Sequence, residues 1–226
     1  MLTVEQLLAS SSLFSGLGQR ELVALARTAQ RLEYRPEEVV IQMNSLGDGL
    51  YLIASGRVKV VVPSPEGKEV ILATLGPGAF FGEMSLLDDE PRSASVVAQL
   101  PSVVYRIYRQ DFARLLDTSP SIARALLREL SRRLRRANEH MESLVSMDVL
   151  GRLARYLMQL AREHGEALGN GWVAVRRPTH QDIAAAIGTT RETVTRLMSE
   201  LEASGLLTSE GKMTYIREET LRREGL

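Results

Sequence analysis

The spacing of apolar positions changes twice along this chain of 226 residues, and the changes mark its organisation. Between Pro120 and Met147 the apolar residues fall at Ala123, Leu127, Leu130, Leu134, Ala137, Met141 and Leu144. Steps of four and three alternate, which is the a/d rhythm of a two-stranded coiled coil. The positions between them carry charge: Arg124, Arg128, Glu129, Arg132, Arg133, Arg135, Arg136, Glu139 and Glu142. A helix over this stretch would run about 40 Å, more than one small core can cover. The stripe is narrow and sustained, so the stretch reads as a dimerisation helix. The alternative is an amphipathic helix lying on its own domain.

Before this helix the pattern is short and β-rich. Val4–Leu8 and Arg20–Ala29 read as helices, the second with Leu22, Leu25, Ala26 and Ala29 on one face. From Leu32 onward come Val39–Ile41, Gly49–Ala54, Arg57–Val62 and Val70–Leu75, then Ser95–Ala98 and Val103–Ile107. Turn residues separate them: Arg35-Pro36, Gly47-Asp48-Gly49, Ser55-Gly56, Pro65-Glu66-Gly67 and Gly76-Pro77-Gly78. Many short strands with regular turn punctuation predict a small sandwich or barrel. Asp111–Leu116 resumes a helical texture.

After the long helix the pattern turns to short helices. Asp148 caps Val149–Arg162 and sets a hinge at Ser146–Asp148. His164–Asn170 reads as a loop and Trp172–Val175 as a short strand. Thr179 with Asp182 makes a capping-box variant that opens Gln181–Ala186, and Gly188 stops that helix. Thr189 or Thr190 then caps Arg191–Ala203, which ends at Gly205. Leu206–Thr208 and Met213–Ile216 flank Glu210-Gly211-Lys212 as a hairpin.

Composition narrows the function. A hydrophobic fraction of 44% and a mean hydropathy of −0.08 describe an ordinary globular protein. The net charge is zero, so nucleic-acid binding would need a local basic face. There is no cysteine, which excludes disulfides, thiol nucleophiles and cysteine-ligated clusters. No run of eighteen apolar residues occurs, and no basic-then-apolar segment opens the chain. A cytoplasmic protein without a membrane span is expected.

Two segments carry chemistry. Gly82-Glu83-Met84-Ser85 is followed by Leu86-Leu87, an acidic turn and Pro91-Arg92-Ser93-Ala94. A glycine before a helical turn presents backbone N–H groups to an anion. Arg92 offers a planar guanidinium to a phosphate and Ser93 a hydroxyl. Glu83, acceptor-only, suits a ribose hydroxyl. The competing reading is an Arg–Glu ion pair pinning a surface loop. In the second segment, two short helices around Gly188 form a helix-turn-helix pattern. Val194, Leu197, Met198 and Leu201 form its inner side. Arg191, Glu192, Thr195, Arg196 and Ser199 are left outside. Arginine reads guanine bidentately and glutamate accepts from cytosine N4. Glu192 could equally pair with Arg196 at i, i+4. The hairpin with Lys212 would form a wing on the phosphate backbone.

With these motifs placed, the chain resembles bacterial transcription regulators of the cyclic-AMP receptor protein and fumarate–nitrate regulator family. The resemblance runs from about Leu13 to Ile216. It rests on Gly82–Leu87, Pro91–Ala94 and Thr190-Arg191-Glu192-Thr193-Val194-Thr195-Arg196, in that order. It implies an α+β fold in three parts. A sensor domain over residues 1–118 has the double-stranded β-helix, jelly-roll-like form. A dimerisation helix spans 119–147, and a winged helix-turn-helix domain 148–226. It gives Gly82, Glu83 and Met84 to sugar and backbone contacts of a cyclic nucleotide, and Arg92 and Ser93 to its phosphate. Arg191, Glu192 and Arg196 become base readers of a palindrome with TGTGA-like half-sites. Thr179 and His180 would touch DNA phosphates, with Thr190, Thr193 and Lys212 in the same interface. Leu127, Leu130, Leu134, Ala137, Met141 and Leu144 would hold the homodimer. The implied partners are double-stranded DNA, RNA polymerase and a small effector, with cyclic AMP as that effector and an activator's role.

The chain departs from the family pattern where two hydroxyl residues hold adenine. Ala137 and Asn138 stand there, and only Asn138 can hydrogen-bond the base through its side chain. The alternative is therefore the same fold acting without an effector or with a different small ligand. Three histidines, His140, His164 and His180, lie outside the β region, which argues against a haem sensor. An enzyme hydrolysing a cyclic nucleotide would need metal ligands or a base beside Arg92, and the sequence offers neither. A pure scaffold would leave the Arg191–Arg196 face unexplained.

Overall fold

The computed structural model describes residues 3–65, 67, 69–169 and 171–217. The expected turn residue Glu66 and loop residue Asn170 lie outside the described residues. The chain divides into two compact units, Met1–Ala137 and Asn138–Leu226.

Two helices open the first unit, α1 (Val4–Ser10) and α2 (Gln19–Thr28). Thr3 and Gln6 cap α1 reciprocally, and the Glu21 carboxylate accepts the Gly18 N–H at 2.8 Å to open α2. Then come β1 (Gln30–Tyr34), β2 (Val39–Ile41), β3 (Gly49–Pro63), β4 (Glu69–Leu75), β5 (Phe80–Phe81), α3 (Met84–Leu87), β6 (Ser95–Tyr108) and α4 (Arg109–Thr118). Every pairing is antiparallel. The order is β1, β6, β3, β4, with β2 also on β6 and β5 on β3.

Strand periodicity explains why Gly49–Ile53 reads as an unbroken apolar run. Leu50 and Leu52 enter one core with Phe14, Phe80, Ile107 and Phe112, while Tyr51 and Ile53 enter another with Val58, Phe81, Val96 and Val104. Both faces are buried, so no polar residue alternates. The expected turn at Ser55-Gly56 is a bend inside one long strand. β3 passes through it with register shifts against β6 between Ile53 and Val58. Gly56 takes φ +89°, and a Cβ there would lie 2.3 Å from the Pro101 carbonyl oxygen. The Ser102 hydroxyl accepts the Arg57 N–H at 3.0 Å and donates to the Leu100 carbonyl at 2.7 Å. Glycine here permits a bulge and not a reversal. Ser95–Ala98 and Val103–Ile107 are likewise two ends of β6.

The long helix α5 (Pro120–Ser146) has a second stripe in its first half that the a/d pattern does not name. Ile122 and Leu126 are buried with Leu52 and Phe112, and Ala125 and Leu130 pack against them. Leu127 and Leu134 are each 63% exposed. One face thus lies on its own domain, as the alternative reading held, while another keeps the apolar stripe outside. Leu130 belongs partly to the inner face.

The second unit contains α6 (Val149–His164), β7 (Glu166–Ala167), β8 (Trp172–Arg176), α7 (His180–Ile187), α8 (Arg191–Ala203), β9 (Leu207–Glu210) and β10 (Met213–Arg217). Asp148 accepts the Gly151 N–H at 2.7 Å and so caps α6. Arg152 donates to the Met147 and Ile187 carbonyls, both at 2.9 Å. The stretch expected as a loop is ordered at both ends: His164 closes α6 and Glu166–Ala167 pairs with β8. The sheet order is β7, β8, β10, β9, all antiparallel. Leu153, Leu157, Val173, Ile183, Val194 and Leu197 lie in one core. The chain is α+β.

Candidate ligand site and candidate nucleic-acid interface

Arg92 is 4% exposed. Its guanidinium donates to the Gly82 carbonyl, to the Gly49 carbonyl at 2.8 Å and to the Asp48 carboxylate at 2.9 Å. Gly82 sits at φ +82°, and a Cβ there would lie 2.7 Å from Arg92 Nη1. Only glycine lets this backbone close on the guanidinium. Asp48 also accepts from Arg106 and from the Tyr51 hydroxyl at 3.1 Å. Burial raises the Asp48 pKa, but hydrogen bonds from Arg106, Tyr51 and Arg92 outweigh it and hold the carboxyl below its ordinary value. Tyr51 is pushed up to about 12, by burial first and then by the Asp48 charge.

The competing reading, an Arg–Glu ion pair, does not join Arg92 to Glu83. Glu83, 3% exposed, pairs instead with Arg133 of α5 at 3.0 Å. Arg133 also donates to the Phe80 carbonyl at 2.6 Å and lies 4.7 Å from the Phe80 ring centroid. The second carboxylate oxygen of Glu83 is buried without a hydrogen-bond partner. Such an acceptor is costly to leave unmatched and has capacity for a hydroxyl donor. Met84 and Ser93 are exposed, the Ser93 hydroxyl 3.8 Å from the Met84 sulfur. Arg109, at the start of α4, donates to the Gly47 carbonyl at 2.9 Å and the Ser85 carbonyl at 2.7 Å. Gly82, Glu83, Arg92 and Asp48 are thus brought together. Asn138 is exposed on α5, in the second unit.

In the second unit, Thr179 accepts the Asp182 N–H at 3.1 Å and Thr190 the Thr193 N–H at 3.3 Å, so Thr190 and not Thr189 caps α8. The Thr190 and Thr193 hydroxyls lie 3.0 Å apart. Gly188, at φ +68°, makes the left-handed stop between the helices. Val194, Leu197 and Met198 are buried, while Arg191, Glu192, Thr195, Arg196 and Ser199 are exposed. Arg196 pairs with Glu200 at 2.6 Å rather than with Glu192. His180 contacts Arg177 through Nε2 and Thr195 Oγ1 through Nδ1 at 2.9 Å. Lys212 is exposed, and its carbonyl accepts the Arg177 N–H at 2.9 Å. On α5, Met141 and Leu144 are exposed and so is Ala137. Leu144 also approaches Gly188, where a Cβ would meet its Cδ2 at 3.3 Å.

The comparisons agree with this division. A family profile described as "Cyclic nucleotide-binding domain" matches residues 31–119, and one described as "Crp-like helix-turn-helix domain" matches 151–224. The "CRP-like cAMP-activated global transcriptional regulator" of Mycobacterium tuberculosis is 32% identical over 213 residues, 94% of this chain and 95% of the relative. The "Cyclic AMP receptor protein" of Thermus thermophilus is 35% identical over 214 residues, 95% of this chain and 96% of the relative. The chain belongs to the cyclic-AMP receptor protein and fumarate–nitrate regulator family. Among solved structures, the catabolite activator protein of Thermus thermophilus is 36% identical with a TM-score of 0.54, covering 95% of this chain and 97% of that one. The "c-di-GMP Responsive Global Regulator CLP" of Xanthomonas campestris has a TM-score of 0.76 at 24% identity, covering 88% and 99%, and shows the fold alone.

As a member of the cyclic-AMP receptor family, the chain is a DNA-binding transcription regulator with a cyclic nucleotide-binding domain. Its relatives are regulators and not enzymes. No helix among the described residues is long and apolar enough to cross a membrane. In this member, Asp48, Arg109 and Arg133 are the site neighbours that sequence reasoning missed. A signal for Asp48 existed in the Gly47-Asp48-Gly49 turn, which reads as loop punctuation. Arg133 had none, since it lies among many arginines on the polar side of α5.

Proposed function

We propose that this chain is a cytoplasmic, homodimeric transcription activator that binds cyclic AMP and reads a palindrome with TGTGA-like half-sites. The cyclic nucleotide sits between Gly82, Glu83 and Met84 on the sugar side and Arg92 and Ser93 at the phosphate, with Asn138 at the base. The observation that carries this reading is that one short segment holds both a buried guanidinium, Arg92, and a buried Glu83 oxygen without a hydrogen-bond partner. One supplies donors to an anion and the other accepts a hydroxyl, the two ends of a cyclic nucleotide. Relatives named for cyclic AMP support the choice of effector. Residues 1–118 serve as sensor, 119–147 as dimerisation helix and 148–226 as the DNA reader that works with RNA polymerase. Thr179, Thr190, Thr193 and Lys212 serve the phosphate backbone, while Arg191, Glu192 and Arg196 serve the bases. A symmetric dimer sets its half-sites one helical turn apart, about 34–36 Å.

Titration calorimetry with cyclic AMP and cyclic GMP, followed by DNA binding with and without ligand, tests the effector. Heat from cyclic AMP at micromolar concentration and tighter DNA binding in its presence are expected. A second reading has its own observation. Ala137 lacks the hydroxyl that the family pattern places there, and Arg92 already holds Asp48. If neither nucleotide binds at millimolar concentration while DNA binding persists, the effector-free regulator is the correct reading. The seam is tested by Leu134→Arg, which would set two like charges on the shared axis. Sedimentation should show monomers, and a dimer as tight as the parent's would remove the seam.

A further inference from the structure

The Arg177–His180–Thr195 contacts lie where the resemblance expects a phosphate ligand, and their chemistry argues for another role. Arginine is a donor only, so the His180 Nε2 that faces Arg177 must be the bare, accepting nitrogen. The ring's one hydrogen is then on Nδ1, 2.9 Å from the Thr195 hydroxyl oxygen. That hydroxyl in turn donates to the Arg191 carbonyl at 2.9 Å. The neutral ring has both nitrogens occupied within the protein and no N–H left for a phosphate. Arg177 is anchored from behind, its backbone N–H on the Lys212 carbonyl. Donor and acceptor match at every step from the wing turn to the first turn of α8.

We propose that His180 is a positioning residue, held as the Nδ1–H tautomer by Arg177, that fixes Thr195 and the reading side of α8 against the start of α7. This rests on the recognition-helix reading proposed for α8. The charged groups around the ring are Arg177, Arg191 and, opposing them, Glu202. Burial first, then Arg177 and Arg191, hold the ring's pKa below the ordinary histidine value. Protonation would put a hydrogen on Nε2 against the guanidinium and break the relay. Base selectivity should therefore fall as the pH drops through that depressed value.

The test uses the full chain and measures selectivity, the ratio of affinities for the preferred site and for one altered at the base pair under Arg191. His180→Gln and Thr195→Ala should each lower it by about threefold to tenfold, the worth of one neutral hydrogen bond. The double variant should be no worse than either single one. His180→Asn, whose amide nitrogen lies near the Nδ1 position, and Thr195→Ser, which keeps the hydroxyl, should stay close to the parent. Nitrogen-15 spectra at neutral pH should show Nδ1 protonated and Nε2 bare. If both His180 variants weaken all sequences alike and flatten the salt dependence, His180 is a phosphate contact and the proposal falls. Additive losses or an Nε2–H tautomer overturn it equally. Arg191→Ala separates the two layers. If it leaves base preference unchanged, the recognition-helix reading fails and the clamp with it. If it abolishes preference while His180→Gln and Thr195→Ala change nothing, only the clamp fails.

Discussion

Arg92 and Arg191 bring the same guanidinium into opposite surroundings. Arg92 is buried, donates to two carbonyls and pairs with Asp48, which is itself held by Arg106 and Tyr51. Arg191 stands exposed at the first turn of α8 and makes no ion pair among the described residues. A ligand reaching Arg92 must match a fixed set of partners, since a buried charge tolerates little misplacement. If Arg191 reads a base as proposed, that base replaces only water, and selectivity would come from how the helix is held. The sensor side therefore invests in preset polar geometry, and the reading side in its scaffold.

The sharpest break is expected at the buried end. Arg92→Ala should remove about 2–5 kcal/mol of cyclic-nucleotide binding, the usual loss for a charge-assisted partner in a buried site. Calorimetry should then show no binding at micromolar ligand, and unchanged affinity would move the ligand elsewhere. At the exposed end the loss is smaller and local. Glu192→Ala should relax preference at one base pair by about 1–3 kcal/mol, while a Lys212 change should weaken every sequence alike. An equal loss on all sequences for Glu192→Ala would show that it reads no base. Because Arg196 is held by Glu200, the variant leaves the helix face otherwise intact.

The smallest effect separates the units by acid. His140 is held below the ordinary histidine pKa by burial and then by Arg155 and Arg152, and His180 by burial and then by Arg177 and Arg191. A lowered folded value means that the unfolded chain takes the proton more readily. Stability from these neutral rings is present above the unfolded pKa and is lost as pH falls through the depressed ones. In the first unit the lowered group of the polar cluster is Asp48, whose contribution is present above the ordinary carboxylate pKa and is lost as pH falls through its lowered value. Trp172, the single tryptophan, reports on the second unit. Its fluorescence should change at a higher pH than amide protection in β3 and β6, and coincident loss would contradict the assignment.

Legibility follows the range of the interactions. The bounds of α8, its inner residues and the Asp148 cap were readable because helix periodicity and capping act within a turn or two. Gly56 was misjudged because a strand glycine permits a bulge or a turn, and only the partner strand decides which. The polar partners of the Gly82–Ala94 segment were not readable as partners, although the Gly47-Asp48-Gly49 turn marked Asp48 as a loop residue. Arg92 meets Asp48 across 44 positions and Arg133 meets Glu83 across 50, and no local spacing rule spans such gaps. Ile122 and Leu126 were hidden for a different reason. On a helix with two apolar faces, the a/d repeat draws attention to one and leaves the other among the gaps.

Arg152 closes two helices with one side chain. The carbonyls of Met147, just past α5, and Ile187, the last residue of α7, both carry the partial negative charge of a helix end. A forked guanidinium serves both through separate nitrogens, Nε and Nη1, whereas a lysine would have to reach both carbonyls from a single nitrogen. The final turn of α5 and the first helix of the reading motif are therefore geared to each other. A change of backbone direction at residues 146–148 would load both hydrogen bonds of Arg152 at once, so this short segment and the end of α7 share one tether.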